Sequence, residues 1–169
     1  LGLTHAAVDA LTSVMTRKPN PKIVDYAMEL LEEISRTGPF DRDLLIHRGV
    51  CDQSYDFVDS AATDFVHYYQ GEYDWEHGLF PWGDEHFQQI RPDTYYHHKF
   101  LFKKALRALY DGRTDEAVQL LKQVIAKAPD GTTLKDDARK SLARLYYEMG
   151  EFAKADFLYQ RIEMNIVEQ

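Results

Sequence analysis

Two glycines, Gly112 and Gly150, stand in the same local frame, and that frame restricts what the chain can fold into more than anything else in it. Ala105 and Ala143 lie seven residues before them, and Ala117 and Ala155 five residues after. A small residue on each arm lets two antiparallel helices approach closely, while the glycine between the arms ends the first helix by taking a positive φ at low cost. The second arms agree as well: Leu121 and Val124 follow in the first copy, Tyr159 and Ile162 in the second, and Pro129 closes the first. A chain punctuated in this way folds as stacked helical hairpins.

Over about residues 98 to 169 this arrangement resembles the tetratricopeptide repeat family, whose unit of about 34 residues carries small, glycine, alanine, aromatic and proline positions in this order. Ala105 and Ala143 fit the small slot of the first helix, Ala117 and Ala155 that of the second, and Tyr159 the aromatic slot that Leu121 fills in the first copy. Two features depart from the family pattern. Gly112 and Gly150 are 38 residues apart, which places the extra residues in the turn Asp130 to Thr133, and Arg139 stands where a large apolar residue is usual. The resemblance implies an all-α fold of antiparallel helix pairs stacked as a short right-handed superhelix, working as a protein-binding scaffold. It also implies a concave groove lined by the first helix of each pair, here by Lys99, Phe102, Leu106, Leu109 and Tyr110 and then by Lys140, Arg144 and Tyr147. Basic and aromatic groups together suit an extended peptide bearing carboxylates.

The rest of the chain is read as the same kind of single domain, residues 1–169, with less regular units. In residues 1–39, Leu3, Ala6, Ala7, Val8, Leu11, Val14 and Met15 recur at helical spacing behind Thr4 as N-cap. Asn20 and Pro21 then open a second helix carrying Ile23, Tyr26, Ala27, Leu30, Leu31 and Ile34, with Glu29, Glu32 and Glu33 on its wet face. Residues 40–69 read as a degenerate repeat through Leu45, Gly49, Ala61, Phe65 and Tyr68, with Asp56 at the turn-glycine position. Between Tyr69 and Tyr95 the periodicity fails, and residues 70–95 read as an aromatic, acidic insert punctuated by Gly71, Gly78, Pro81, Gly83 and Pro92. Its aromatic content predicts a packed, Ω-like loop rather than a disordered linker. Residues 96–131 and 132–169 are the two clear repeats.

Charge separates these regions. Net charge is −8, from 20 basic and 28 acidic side chains; residues 59–98 hold 1 basic and 8 acidic, whereas residues 99–169 hold 13 and 11. Without clustered lysine and arginine the chain is not expected to bind nucleic acid. The contrast predicts instead that the insert folds back over the repeat groove, anchored by Trp75 or Trp82. No apolar run approaches the ~18 residues of a membrane span. The single cysteine, Cys51, cannot form an internal bridge and reads as a structural thiol. A cytoplasmic chain fits that cysteine usage, and so does a processed extracytoplasmic form or a fragment, since the sequence begins at Leu1. The pattern leaves partner identity and oligomeric state open.

No phosphate loop, nucleophile elbow, paired-cysteine ribbon or kinase signature is present, so no catalytic residue is expected. His67, Glu72, Asp74, Glu76, His77, Asp84, Glu85, His86, His97 and His98 supply many potential metal ligands, yet no two histidines stand four apart beside a glutamate. His97 and His98, as neighbours on a helix, are expected to point apart, and neither metal nor cofactor is expected. Asp115 with Glu116, and Asp136 with Asp137, sit where helices begin, and Thr133 followed by Asp136 suggests a capping box. Two other uses remain open: an accessory domain of a larger enzyme or secretion assembly, and a small-molecule or metal-binding domain built on residues 70–98.

Overall fold

Helical spacing of apolar residues runs through the chain, and the computed structural model has α-helix as the one regular element among the residues it describes, 2–17, 20–37, 40, 42–47, 49–50 and 60–167. The chain divides into two units, Leu1–Arg91 and Pro92–Gln169. Among the described residues no helix is long and apolar enough to cross a membrane.

The first unit contains α1 (Gly2–Thr16), α2 (Pro21–Thr37), α3 (Arg42–His47), α4 (Ser60–Glu76) and α5 (Phe80–Gln88). In α1, Val8, Thr12 and Met15 form one buried stripe, and the Thr12 hydroxyl is satisfied by donating to the Val8 carbonyl at 2.8 Å. They meet α2, which buries Val24, Ala27, Met28 and Leu31 at the same spacing. Asn20 caps α2 by accepting from the Lys22 amide, with Pro21 as first residue. Ile23 and Tyr26, expected on the apolar face, are exposed, and Thr4 lies inside the first turn of α1 because that helix begins at Gly2. Cys51, Asp56 and the side chain of Ala61 lie outside the described residues. Gly49 follows α3 with φ 66° as a turn residue, not as a small residue inside a helix.

The expected loop at residues 70–95 is, for the most part, a helical hairpin. Helix α4 continues through the expected boundary to Glu76, and α5 returns along it. Gly78 turns the chain with φ 76°, and the next amide, of Leu79, donates to the Asp74 carbonyl at 2.8 Å. Gly71 and Gly83 are the contact points of the two helices. A Cβ on Gly83 would lie 2.8 Å from the Gly71 carbonyl oxygen and would strike the Trp75 ring; one on Gly71 would lie 2.9 Å from Phe87. Gly71, Gly78 and Gly83 thus repeat the seven-and-five spacing of the clear repeats, and Gly78 precedes Gly112 by 34 residues. The hairpin therefore straddles the line drawn at residue 70, and its frame lies later in the chain than the one proposed for residues 40–69.

The second unit contains α6 (Tyr95–Tyr110), α7 (Thr114–Lys127), α8 (Thr133–Glu148) and α9 (Phe152–Val167). Gly112 and Gly150 take φ 75° and 78°, and the amides after them, of Arg113 and Glu151, return to the Ala108 and Tyr146 carbonyls at 2.7 and 2.8 Å. This is the closure found after Gly78, a glycine-terminated helix end. Ala105, Ala117, Ala143 and Ala155 are all buried, as close helix approach requires. Ala105, Ala143 and Ala155 join Leu101, Val118, Leu121, Val124, Leu142 and Leu158 in one core spanning the four helices. Thr94 and Thr132 cap α6 and α8 through the His97 and Lys135 amides. The cap of α8 is thus one residue earlier than the expected Thr133, and Asp136 accepts a hydrogen bond from Arg139.

Arg139, the misfit of the repeat pattern, is buried and keeps its charge compensated. Asp136 Oδ1 accepts from Arg139 Nη1 at 2.9 Å, and Asp130 Oδ1 lies 3.7 Å from Nη2. Asp130 also pairs with the neighbouring buried Lys135 at 2.8 Å, and the lysine holds the Asp130 carboxyl below the usual carboxylate range. The residues that lengthen this repeat thus supply a carboxylate for the cations at its base.

Candidate functional site

In the second unit, a recess of about 550 Å³ opens along α7, α8 and α9. Its apolar wall comes from Ile125, Leu142, Tyr146 and Leu158, residues that also belong to or pack against the core. Phe157, exposed on α9, forms its lip, with the Arg161 guanidinium 4.3 Å from the ring centroid. Lys154 lies over the Tyr146 ring at 5.4 Å and pairs with Glu151 at 3.1 Å. Lys122 completes a rim of three cations, and no carboxylate lines the recess among the described residues. An apolar floor beneath a cationic rim can take an aliphatic or aromatic side chain whose neighbours are acidic. None of these residues was singled out as a site residue from the sequence. The visible signal was basic and aromatic side chains on the outer face of a terminal second helix, at Lys154, Phe157 and Arg161.

The expected groove residues are divided by the structure. Leu106, Tyr110, Lys140, Arg144 and Tyr147 are exposed, Tyr110 to 92 %, whereas Phe102 and Leu109 are partly buried against the core. Lys99 is half-buried over the rings of Tyr95 and Tyr96, at 5.8 and 5.9 Å. Lys140 is paired with Asp137 and Arg144 with Glu148, at 3.4 and 2.9 Å. Tyr147 stacks edgewise on Phe152 at 5.2 Å. Helices α6 and α8 touch, so these side chains come from neighbouring elements.

In the first unit, Trp75 packs edgewise on Phe87 and donates to Asp84 at 2.9 Å, whereas Trp82 is 67 % exposed. Trp75 is thus engaged within its own hairpin. The same hairpin contains a polar seam: His67 and His86 face each other through their Nδ1 atoms at 3.1 Å, and buried Asp74 accepts from Gln70 at 2.9 Å. Burial, and then the neighbouring His86, push His67 below the ordinary histidine value. One ring must donate and the other accept, so the seam is satisfied internally. Buried Asp64 accepts from the amide and the guanidinium of Arg91, each at 3.0 Å, which ties the end of the unit to α4.

Compared with known proteins, residues 108–166 match the tetratricopeptide repeat family. The match covers the end of α6, all of α7 and α8 and most of α9, so this segment is tetratricopeptide-like and includes the whole recess. No curated protein and no solved structure matches the chain.

Proposed function

We propose, from the premise that residues 108–166 form a tetratricopeptide-like segment, that the second unit is a non-catalytic protein-binding module whose partner presents an acidic segment carrying apolar side chains. The observation that supports this reading is the recess itself, with its apolar floor and, among the described residues, three rim cations and no lining carboxylate. Lys122 and Arg161 have no ion pair among the described residues, so an incoming carboxylate meets them without displacing a bound one. An exposed pair such as Arg144 with Glu148 offers less, although at about 0–1 kcal/mol it is readily exchanged.

The face formed by α6 and α8 supports a second reading, in which a peptide lies across Leu106, Tyr110 and Tyr147 with Lys140 and Arg144 beside it. The exposure of Tyr110 and Tyr147 favours it, because large aromatics in water are the usual anchors of interfaces. Selection of a displayed peptide library against the whole chain tests both. Acidic-aliphatic peptides should be enriched, and Phe157→Ala together with Arg161→Glu should abolish their binding while Tyr110→Ala leaves it intact. The opposite pattern would move the site to the α6 and α8 face, and enrichment of basic peptides would remove the charge argument altogether.

A further inference from the structure

The first turn of α6 and the loop before it bring together Asp93, His97 and His98 so that one ligand atom from each lies within 4.8 Å of the others. The three residues differ in exposure, and the difference carries the argument. Asp93 is exposed, His97 is half-buried, and His98 is buried, only 4 % exposed. Among the described residues, neither buried ring nitrogen of His98 has a hydrogen-bond partner. An imidazole shielded from water ordinarily satisfies at least one nitrogen, because an unpaired buried polar group forfeits the hydrogen bonds that water supplied. The polar groups of Asp93 and His97 are nonetheless close by.

We propose that Asp93, His97 and His98 form a site for a divalent transition-metal ion of the zinc class. Two imidazoles and one carboxylate are borderline ligands that suit Zn²⁺ and Co²⁺, and they are a poor set for Ca²⁺ or Mg²⁺, which take oxygen ligands. With metal–ligand bonds of about 2.0–2.2 Å, tetrahedral ligand atoms stand roughly 3.4 Å apart, so a spread within 4.8 Å has to close by up to about 1.4 Å on binding. The set is open, leaving a coordination position for water or for a partner's side chain.

Lys127 opposes the cation. Its ammonium pairs with Asp93 Oδ1 at 2.6 Å and is the main cause holding the Asp93 carboxyl below its usual range. The amide of Asp93 also donates to His97 Nδ1, at a long 3.3 Å. A metal entering the site takes over the carboxylate and displaces the Lys127 ammonium into water, and it competes with the Asp93 amide if it uses the same His97 nitrogen. Removing the lysine charge should therefore strengthen the site while removing a ligand destroys it. A cluster without a metal function would show neither response.

The test is calorimetric titration of the chelator-treated whole chain with Zn²⁺, and with Co²⁺ followed by visible absorption. One ion per chain is expected, with a Co²⁺ spectrum of low coordination number. Asp93→Asn and His97→Gln, both outside the buried core, should each weaken binding about a hundredfold or more. Lys127→Gln should tighten it up to about fivefold, the value of an exposed ion pair. Absence of stoichiometric binding overturns the proposal. So does binding that persists undiminished in both ligand variants, a result that would place the ion elsewhere.

Discussion

The hairpins α4–α5 and α6–α7 are built on one frame with different residues. Each has a small residue, a left-handed glycine seven positions later and a second small residue five positions after that, and each closes its turn with an amide returned five residues back. In α6–α7 the small residues are Ala105 and Ala117, and the position four beyond is Leu121. In α4–α5 they are Gly71 and Gly83, and that position is Phe87. The aromatic hairpin thus surrenders the Cβ atoms at its contact points to make room for Phe87 and Trp75. Close approach is what the frame encodes, and residue identity follows from what is packed there.

The largest effects should come from emptying the equivalent positions. Phe87→Ala should cost about 3–5 kcal/mol and Leu121→Ala about 2–5 kcal/mol, read by denaturant unfolding. A cost under about 1 kcal/mol for Phe87→Ala would show that the two positions share spacing and nothing more. Next come the contact points. Alanine is the better helix former by about 1 kcal/mol, yet Gly83→Ala should destabilise, because its Cβ meets the Gly71 carbonyl. Ala105→Leu and Ala143→Leu should each cost about 1–3 kcal/mol by overpacking. Unchanged melting temperatures for both Ala105→Leu and Ala143→Leu would break the close-approach account of the second unit.

The smallest effect separates the hairpins by pH. The α4–α5 hairpin holds His67, depressed by burial and by His86, whereas α8–α9 contains no histidine. Below the ordinary value of about 6.5 the unfolded chain binds a proton that folded His67 resists. The stability of this hairpin should be complete above about pH 6.5 and decline as pH falls from there through the folded value. Hydrogen exchange of the α4 amides at two pH values checks this, and His67→Gln should flatten the response.

The helices α6 to α9 were legible because alanine occupies their contact points, so the only glycines left in the frame mark turns. In α4–α5 the same reading failed for a physical reason. Glycine both terminates a helix and permits close contact inside one, and three glycines with Pro81 in thirteen residues read as punctuation. The surviving signal was the 34-residue step from Gly78 to Gly112. For the candidate site, the family resemblance directed attention to the first helices, whereas the recess is formed largely by the second helices, α7 and α9. Asp93 was overlooked because a search for ligands spaced along one helix does not include a residue in the loop before it.

Asp130, Lys135 and Arg139 bind two irregularities of the last repeat into one heritable trait. Shortening the turn to the ordinary repeat length would remove a carboxylate from two buried cations at once, and restoring an apolar residue at position 139 would leave the extra turn with half its purpose. Among chains descended from a common ancestor with this one, loop length and the side chain at position 139 should therefore change together.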